Sequence, residues 1–101
     1  MATMGISIVP VGTGSPSVSS YVAEAVKILQ QEPGIKYELT AMMTIVEGDL
    51  GRLLEIAQKM HNTAFTAGAK RVVTSIRIDD RRYKPVTIAG KVKAVKDKLD
   101  K

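Results

Sequence analysis

The chain has 101 residues, of which 45% are hydrophobic, a formal net charge of +5 and no cysteine. This length allows one domain over residues 1–101 with a thin core, which makes self-association a reasonable expectation. The hydrophobic content excludes a disordered chain, and the lack of cysteine excludes disulfides, a thiolate nucleophile and a cysteine zinc site. No apolar run reaches the roughly 20 residues that span a membrane, and no secretion signal is recognisable, so we expect a cytoplasmic protein.

The positive charge is concentrated at the C-terminal end. Eight basic and two acidic residues follow position 80, whereas seven basic and eight acidic residues precede it. The body is therefore nearly neutral, and a basic tail is more typical of a solvated helix face than of a phosphate-reading surface. We predict that neither nucleic acid nor a membrane is a partner.

The first predicted elements are a strand at about 5–11 and a helix at about 18–31, joined by the segment GTGSPS. Apolar residues recur along the helix with a period of 3.6, which indicates one buried face. Ser17 and Ser19 lie at its start, where a hydroxyl caps the first turn or contacts a ligand. Tyr21 lies on the apolar face and is explained by the core; it lines a pocket only if the ligand lies between helix and sheet.

The remaining pattern alternates strands and helices. The predicted elements are strands at 36–40 and 43–47, a helix from an Asp49 cap to Gly68, a strand at 71–79, and a helix capped by Thr87. This order predicts an α+β, ferredoxin-like βαββαβ fold, with two helices on one face of an antiparallel sheet and an extra C-terminal helix. The second sheet face is partly apolar, so we expect it to pair with another subunit.

Four separated motifs carry a family resemblance. They are VPVGTGSPSVSSYVAEAV, YELTAMMTIVEGDL, the region of His61 with AGAKRV, and SIRIDDRR. Over about residues 6–82 the chain resembles the small thiamine-binding protein family, which is ferredoxin-like. The resemblance implies a non-catalytic cytosolic protein that sequesters or delivers thiamine, thiamine phosphate or hydroxymethylpyrimidine. It also implies a homodimer or homotetramer.

Thiamine carries a cationic thiazolium and an aminopyrimidine, so its site needs carboxylates, hydroxyls and an apolar wall. Glu47, at the end of the third predicted strand, and Asp79 and Asp80, at the end of the fourth, are the acidic candidates in the motifs. Each is also explained as a turn carboxylate, and the two aspartates could simply pair with the arginines that follow them. Thr44 and Met43 are adjacent in a strand, so one of them faces the open side of the sheet. Whether the pocket lies between subunits or between helix and sheet stays open.

The single histidine defines the competing function. A small dimeric α+β enzyme would use His61 with Asp79 or Glu47 as general acid and base. A hydrogen-bonded histidine in the core is the simpler interpretation, and without a second histidine or a cysteine we reject zinc. We therefore predict no metal, no cofactor and no catalysis, and we expect His61→Ala to change stability more than ligand affinity.

Overall fold

The computed structural model describes residues 1–12, 14, 19–82 and 88–99, and Ser17 and Thr87 lie outside these ranges. The elements are β1 Ala2–Val11, α1 Ser19–Gln31, β2 Lys36–Leu39, β3 Thr44–Gly48, α2 Leu50–Thr66, β4 Arg71–Asp80 and α3 Ile88–Leu99. The predicted order of strands and helices is therefore confirmed. The largest difference is at β1, which begins at Ala2 rather than near Gly5, because its first residues pair with both neighbouring strands.

The four strands form one antiparallel sheet in the order β2-β3-β1-β4. Over the residues that the structure describes, the molecule is a small α+β protein with three helices, compatible with the predicted ferredoxin-like fold. In this register Thr3 lies opposite both Glu47 and Asp79, and Gly5 lies opposite Ile45. Because residues directly opposite each other in a sheet share a face, these five residues project from the same side.

The other face of the sheet carries the core, and α1 and α2 pack against it and against each other. The alternate residues of β1 supply the sheet half of this core, and the predicted apolar faces of the two helices supply the rest. The largest fully buried side chains are Met4, Ile6, Leu29, Val46, Leu53, Ile56 and Met60. We call the side of the sheet that carries the core the helix face, and the opposite side the open face.

The strand connections follow from local chemistry. The Thr40 hydroxyl donates to the Met43 carbonyl at 2.6 Å and accepts from the Met43 amide at 3.2 Å, which closes the turn between β2 and β3 at the predicted bend. Asp49 is the N-cap of α2, as predicted, but its side chain makes no cap hydrogen bond. Gly68 follows the end of α2 with a φ of 107°, a conformation that disfavours other residues.

α3 lies apart from the core. No residue of α3 is buried, and its apolar residues Val92, Val95 and Leu99 are exposed. Its first turn contacts the open face, which α1 and α2 do not cover. In the described part of the chain, no helix is long and apolar enough to cross a membrane.

Burial predicts very different roles for two neighbouring leucines of α2. Leu53 is 0% exposed and Leu54 is 48% exposed. We expect Leu53→Ala to lower the free energy of unfolding by about 2–5 kcal/mol, because it removes buried surface and leaves a cavity. The matched control Leu54→Ala should lower the free energy of unfolding by less than about 1 kcal/mol. Urea denaturation measures both, and equal losses would contradict the assigned orientation of α2.

Candidate functional site

A groove of about 530 Å³ lies on the open face, between the sheet and the first turns of α3. We call it the open-face groove. It is lined by Thr3, Gly5, Met43, Ile45, Arg77, Ile78, Asp79, Asp80, Ile88, Lys91 and Val92. Two of the three predicted acidic residues are in this lining, and the third, Glu47, lies directly beside it, opposite Thr3.

Glu47 connects the sheet to α3. Its side chain is 5% exposed, and its Oε2 accepts a hydrogen bond of 2.9 Å from the backbone amide of Ile88, the first residue of α3. A carboxylate at a helix N-terminus satisfies an amide without an intrahelical partner and is attracted by the helix dipole. Glu47 therefore fixes where α3 begins on the open face.

The two aspartates at the end of β4 are also engaged. Lys91 of α3 forms an ion pair with Asp79. The hydrogen bond from Lys91 and its charge, with smaller attractions from Arg81 and Arg77, hold the pKa of Asp79 below its ordinary value. Asp80 accepts hydrogen bonds from Arg82 at 3.0 and 3.1 Å, the arginine pairing that the sequence left as an alternative.

Thr3 is a polar group of this site that sequence reasoning missed. Its hydroxyl oxygen is buried and has no hydrogen-bond partner among the described residues. A buried hydroxyl without a partner costs free energy, so this atom is suited to a ligand atom or a water molecule. The period-two alternation of β1, extended back from Ser7 and Gly5, would have placed Thr3 on the open face; the predicted strand began too late to include it.

Met43 and Thr44 lie on opposite faces of the sheet. A Cβ atom added to Gly5 would lie 2.5 Å from Met43 Sδ, so the glycine makes room for the methionine across β1. Met43 is thereby the member of the pair that faces the open side. Thr44 is buried opposite Ile6 on the helix face.

The structure does not bring the remaining predicted residues to the open-face groove. A second groove, of about 920 Å³, lies between β1, α1 and the turn 40–43; its lining includes Ser19, Thr44 and the other side of Met43, and no acidic residue among those described. We call it the helix–strand groove. Tyr21 lines a third depression, between α1 and α2. Ser17 lies outside the described residues.

His61 is separated from Glu47 and Asp79 by the sheet. Its Nδ1 lies 2.6 Å from the hydroxyl oxygen of Thr74, and its ring packs edge-on against Phe65. Thr74 pairs in register with Ile8, a buried residue of the helix face. Glu47 and Asp79 project from the open face, so neither shares a site with the histidine.

Comparison with known proteins decides the family. The family model described as "Thiamine-binding protein" matches residues 4–96. The chain belongs to this family. It is 47% identical to the UPF0045 protein YqgV of Bacillus subtilis, an alignment that covers 98% of each chain.

Solved structures of relatives share the architecture. The crystal structure of the hypothetical protein MJ1052 from Methanocaldococcus jannaschii superposes with a TM-score of 0.85 at 37% identity, over 93% of this chain and 94% of that one. A domain of unknown function from Bacillus cereus gives a TM-score of 0.79 at 40% identity, over 90% of this chain and 86% of that one. The fold is thus shared by a bacterial and an archaeal relative.

The cap formed by Glu47 yields a prediction about α3. We expect Glu47→Ala to accelerate amide hydrogen exchange in α3 by about fivefold, since loss of a cap costs about 1 kcal/mol. Exchange in α2 and β1 should be unchanged, as measured by mass spectrometry. The matched control is Glu55→Ala, which removes an exposed carboxylate from α2. Unchanged exchange in α3 would contradict the anchoring role of Glu47.

The ion pair of Asp79 yields a prediction about pH. Because Lys91 lowers the pKa of Asp79, the pair stabilises the attachment of α3 above the ordinary pKa of an aspartate and is lost as pH falls through the lowered pKa. We expect Lys91→Gln to raise the pKa of Asp79, measured by NMR titration of its carboxyl carbon. Lys93→Gln is the control on the same helix. Equal titration midpoints of Asp79 in the two variants would contradict the pairing with Lys91.

Proposed function

We propose that this protein binds thiamine or a related pyrimidine in the open-face groove, without catalysing a reaction on it, and so sequesters or delivers it. The observation that carries the proposal is the buried Thr3 hydroxyl, which has no partner among the described residues and lies opposite Glu47 and Asp79. A donor, an acceptor and negative charge therefore converge on one cavity. Membership in the thiamine-binding protein family supports the choice of ligand.

The groove suits the two halves of thiamine in different ways. Ile45 and Met43 offer an apolar wall, and a thioether packs favourably on an aromatic ring. The carboxylate of Asp79 suits the cationic thiazolium, which would take the position that Lys91 occupies in the free protein. The volume of about 530 Å³ is within the usual range of ligand sites, about 300–1,000 Å³.

The helix–strand groove supports a second location for an uncharged pyrimidine. Its lining combines apolar side chains with polar groups that include the hydroxyls of Ser19 and Thr40 and the amide of Gln30. Among the residues described, its one charged residue is Lys27, and it contains no carboxylate. Such a lining suits hydroxymethylpyrimidine, which has ring nitrogens and an amino group but no fixed charge. Met43 lines both grooves, so the two locations adjoin.

The proposal includes self-association and a cytosolic location. The exposed Val9 and Val73 on the open face and the apolar stripe of α3 support a homodimer or homotetramer, because these surfaces favour burial against another chain. The absence of cysteine supports the cytosolic location.

A ligand titration tests the function directly. Calorimetry with thiamine, thiamine monophosphate and hydroxymethylpyrimidine should give heat of binding with at least one of them. We expect Asp79→Asn to weaken thiamine binding about fivefold, because it removes one partner of a solvent-exposed charge pair. Lys91→Gln should strengthen it, because it removes the competing cation.

Hydroxymethylpyrimidine is the matched control ligand, since neither variant should change the affinity of an uncharged ring for the helix–strand groove. Absence of heat with all three ligands at high protein concentration would overturn the function. Equal thiamine affinity in the wild type, Asp79→Asn and Lys91→Gln would exclude the open-face groove as the site.

The position of His61 supports a non-catalytic role and predicts the effect of its removal. We expect His61→Ala to lower the free energy of unfolding by about 1 kcal/mol, because it breaks the hydrogen bond to Thr74. Thiamine affinity should stay within about twofold, because the sheet separates His61 from the open-face groove. If His61→Ala instead kept its stability but lost turnover of some substrate, that result would favour an enzymatic function.

A further inference from the structure

β4 is an outer strand with one long unpaired edge. All ten of its residues pair with β1 on one side, and no strand in the described part of the chain pairs with its other side. Backbone amide and carbonyl groups along such an edge form a template for another strand. The opposite edge of the sheet, β2, has only four residues.

Apolar side chains along this edge are uncovered. Ile76 and Ile78 alternate with the open-face residues of β4 and so belong to the helix face, yet they are 45% and 37% exposed. The contact between His61 of α2 and Thr74 lies on the first half of the strand. The second half therefore offers apolar surface that another chain can bury.

The charges of β4 are arranged for pairing with a second copy of itself. Lys70 and Arg71 stand at its start, and Asp79 and Asp80 at its end. Antiparallel pairing places the start of one strand opposite the end of the other. Opposite charges then meet at both ends of the ladder, which stabilises cross-strand pairs.

We propose that two copies of the chain pair antiparallel along β4, about a two-fold axis at Ser75, so that their sheets form one continuous sheet. Ser75 lies opposite the partner's Ser75, and Arg71 lies opposite the partner's Asp79. On the helix side, Val72 lies opposite the partner's Ile78. The interface is isologous, as expected for a closed dimer.

Charge selects this register among the symmetric ones. A two-fold axis perpendicular to the sheet keeps the open faces of both copies on the same side. The register between the two β4 strands can therefore change only in steps of two residues. One such shift places Arg71 opposite the partner's Arg77, and the other places it opposite the partner's Arg81. Like charges directly opposite destabilise a sheet, so the register centred on Ser75 is favoured.

This dimer also reaches the open-face groove. Lys91 contacts Oδ2 of Asp79, whose side chain is 52% exposed, and the partner's Arg71 would approach the other carboxylate oxygen. Each groove would thus lie beside the dimer interface. The inference rests on the proposed self-association, but not on the identity of the ligand.

A charge exchange tests the register. We expect Arg71→Glu to raise the dimer dissociation constant by about tenfold or more, measured by sedimentation equilibrium, because it places a carboxylate opposite the partner's Asp79. The double variant Arg71→Glu with Asp79→Arg should restore the dimer. Lys36→Glu, the same charge change on β2, should leave it unchanged.

A single cysteine tests the axis, because the wild-type chain has none. In Ser75→Cys the two thiols would face each other across strands whose Cα atoms are about 4.5–5.5 Å apart, so we expect a covalent dimer on mild oxidation or with a short bismaleimide. Glu38→Cys, on β2, is the control and should stay uncrosslinked.

A dimer that neither Ser75→Cys links nor Arg71→Glu weakens would overturn the edge pairing. A wild-type chain that sediments as a monomer at high micromolar concentration would overturn it together with the proposed self-association. Calorimetry on the wild type measures the heat of ligand binding and not the oligomeric state. It therefore distinguishes both of these results from a failure of ligand binding.

Discussion

The structure depends on the central position of β1, which is paired with β3 on one edge and with β4 on the other. Side chains alternate along a strand, so each residue of β1 is assigned to one of two layers. Met4 and Ile6 belong to the core under α1 and α2, whereas Thr3 and Gly5 belong to the open face. Register then places residues from β3 and β4 beside them, including the two carboxylates of Glu47 and Asp79.

The elements and the core were predictable because they depend on local periodicity. A period of 3.6 identifies the helix that buries Leu53 and Met60, and a period of two identifies the strand that buries Ile6 and Ile8. The three acidic candidates around the open-face groove were also found from the sequence, because the family motifs place each of them at the end of a strand, and β3 and β4 end on the same side of the sheet.

What could not be predicted depends on contacts between distant residues. The hydrogen bond between Glu47 and Ile88 joins positions 41 residues apart, and no local pattern indicates that α3 docks on the open face. The choice between Met43 and Thr44 requires the register with β1, which the sequence of β3 alone does not contain. Thr3 was missed because strand boundaries depend on pairing partners rather than on propensity.

The way α3 is held has a thermodynamic consequence. Two polar contacts attach it to the sheet, Glu47 at the start of the helix and Asp79 at Lys91, and both carboxylates also border the open-face groove. Any cation that binds either carboxylate in place of its present partner loosens the attachment of the helix. By linkage, docking of the helix weakens the binding of that cation by the same factor. Since dissolved salt screens both attractions, ionic strength would shift the balance between two competitors for the same negative charge.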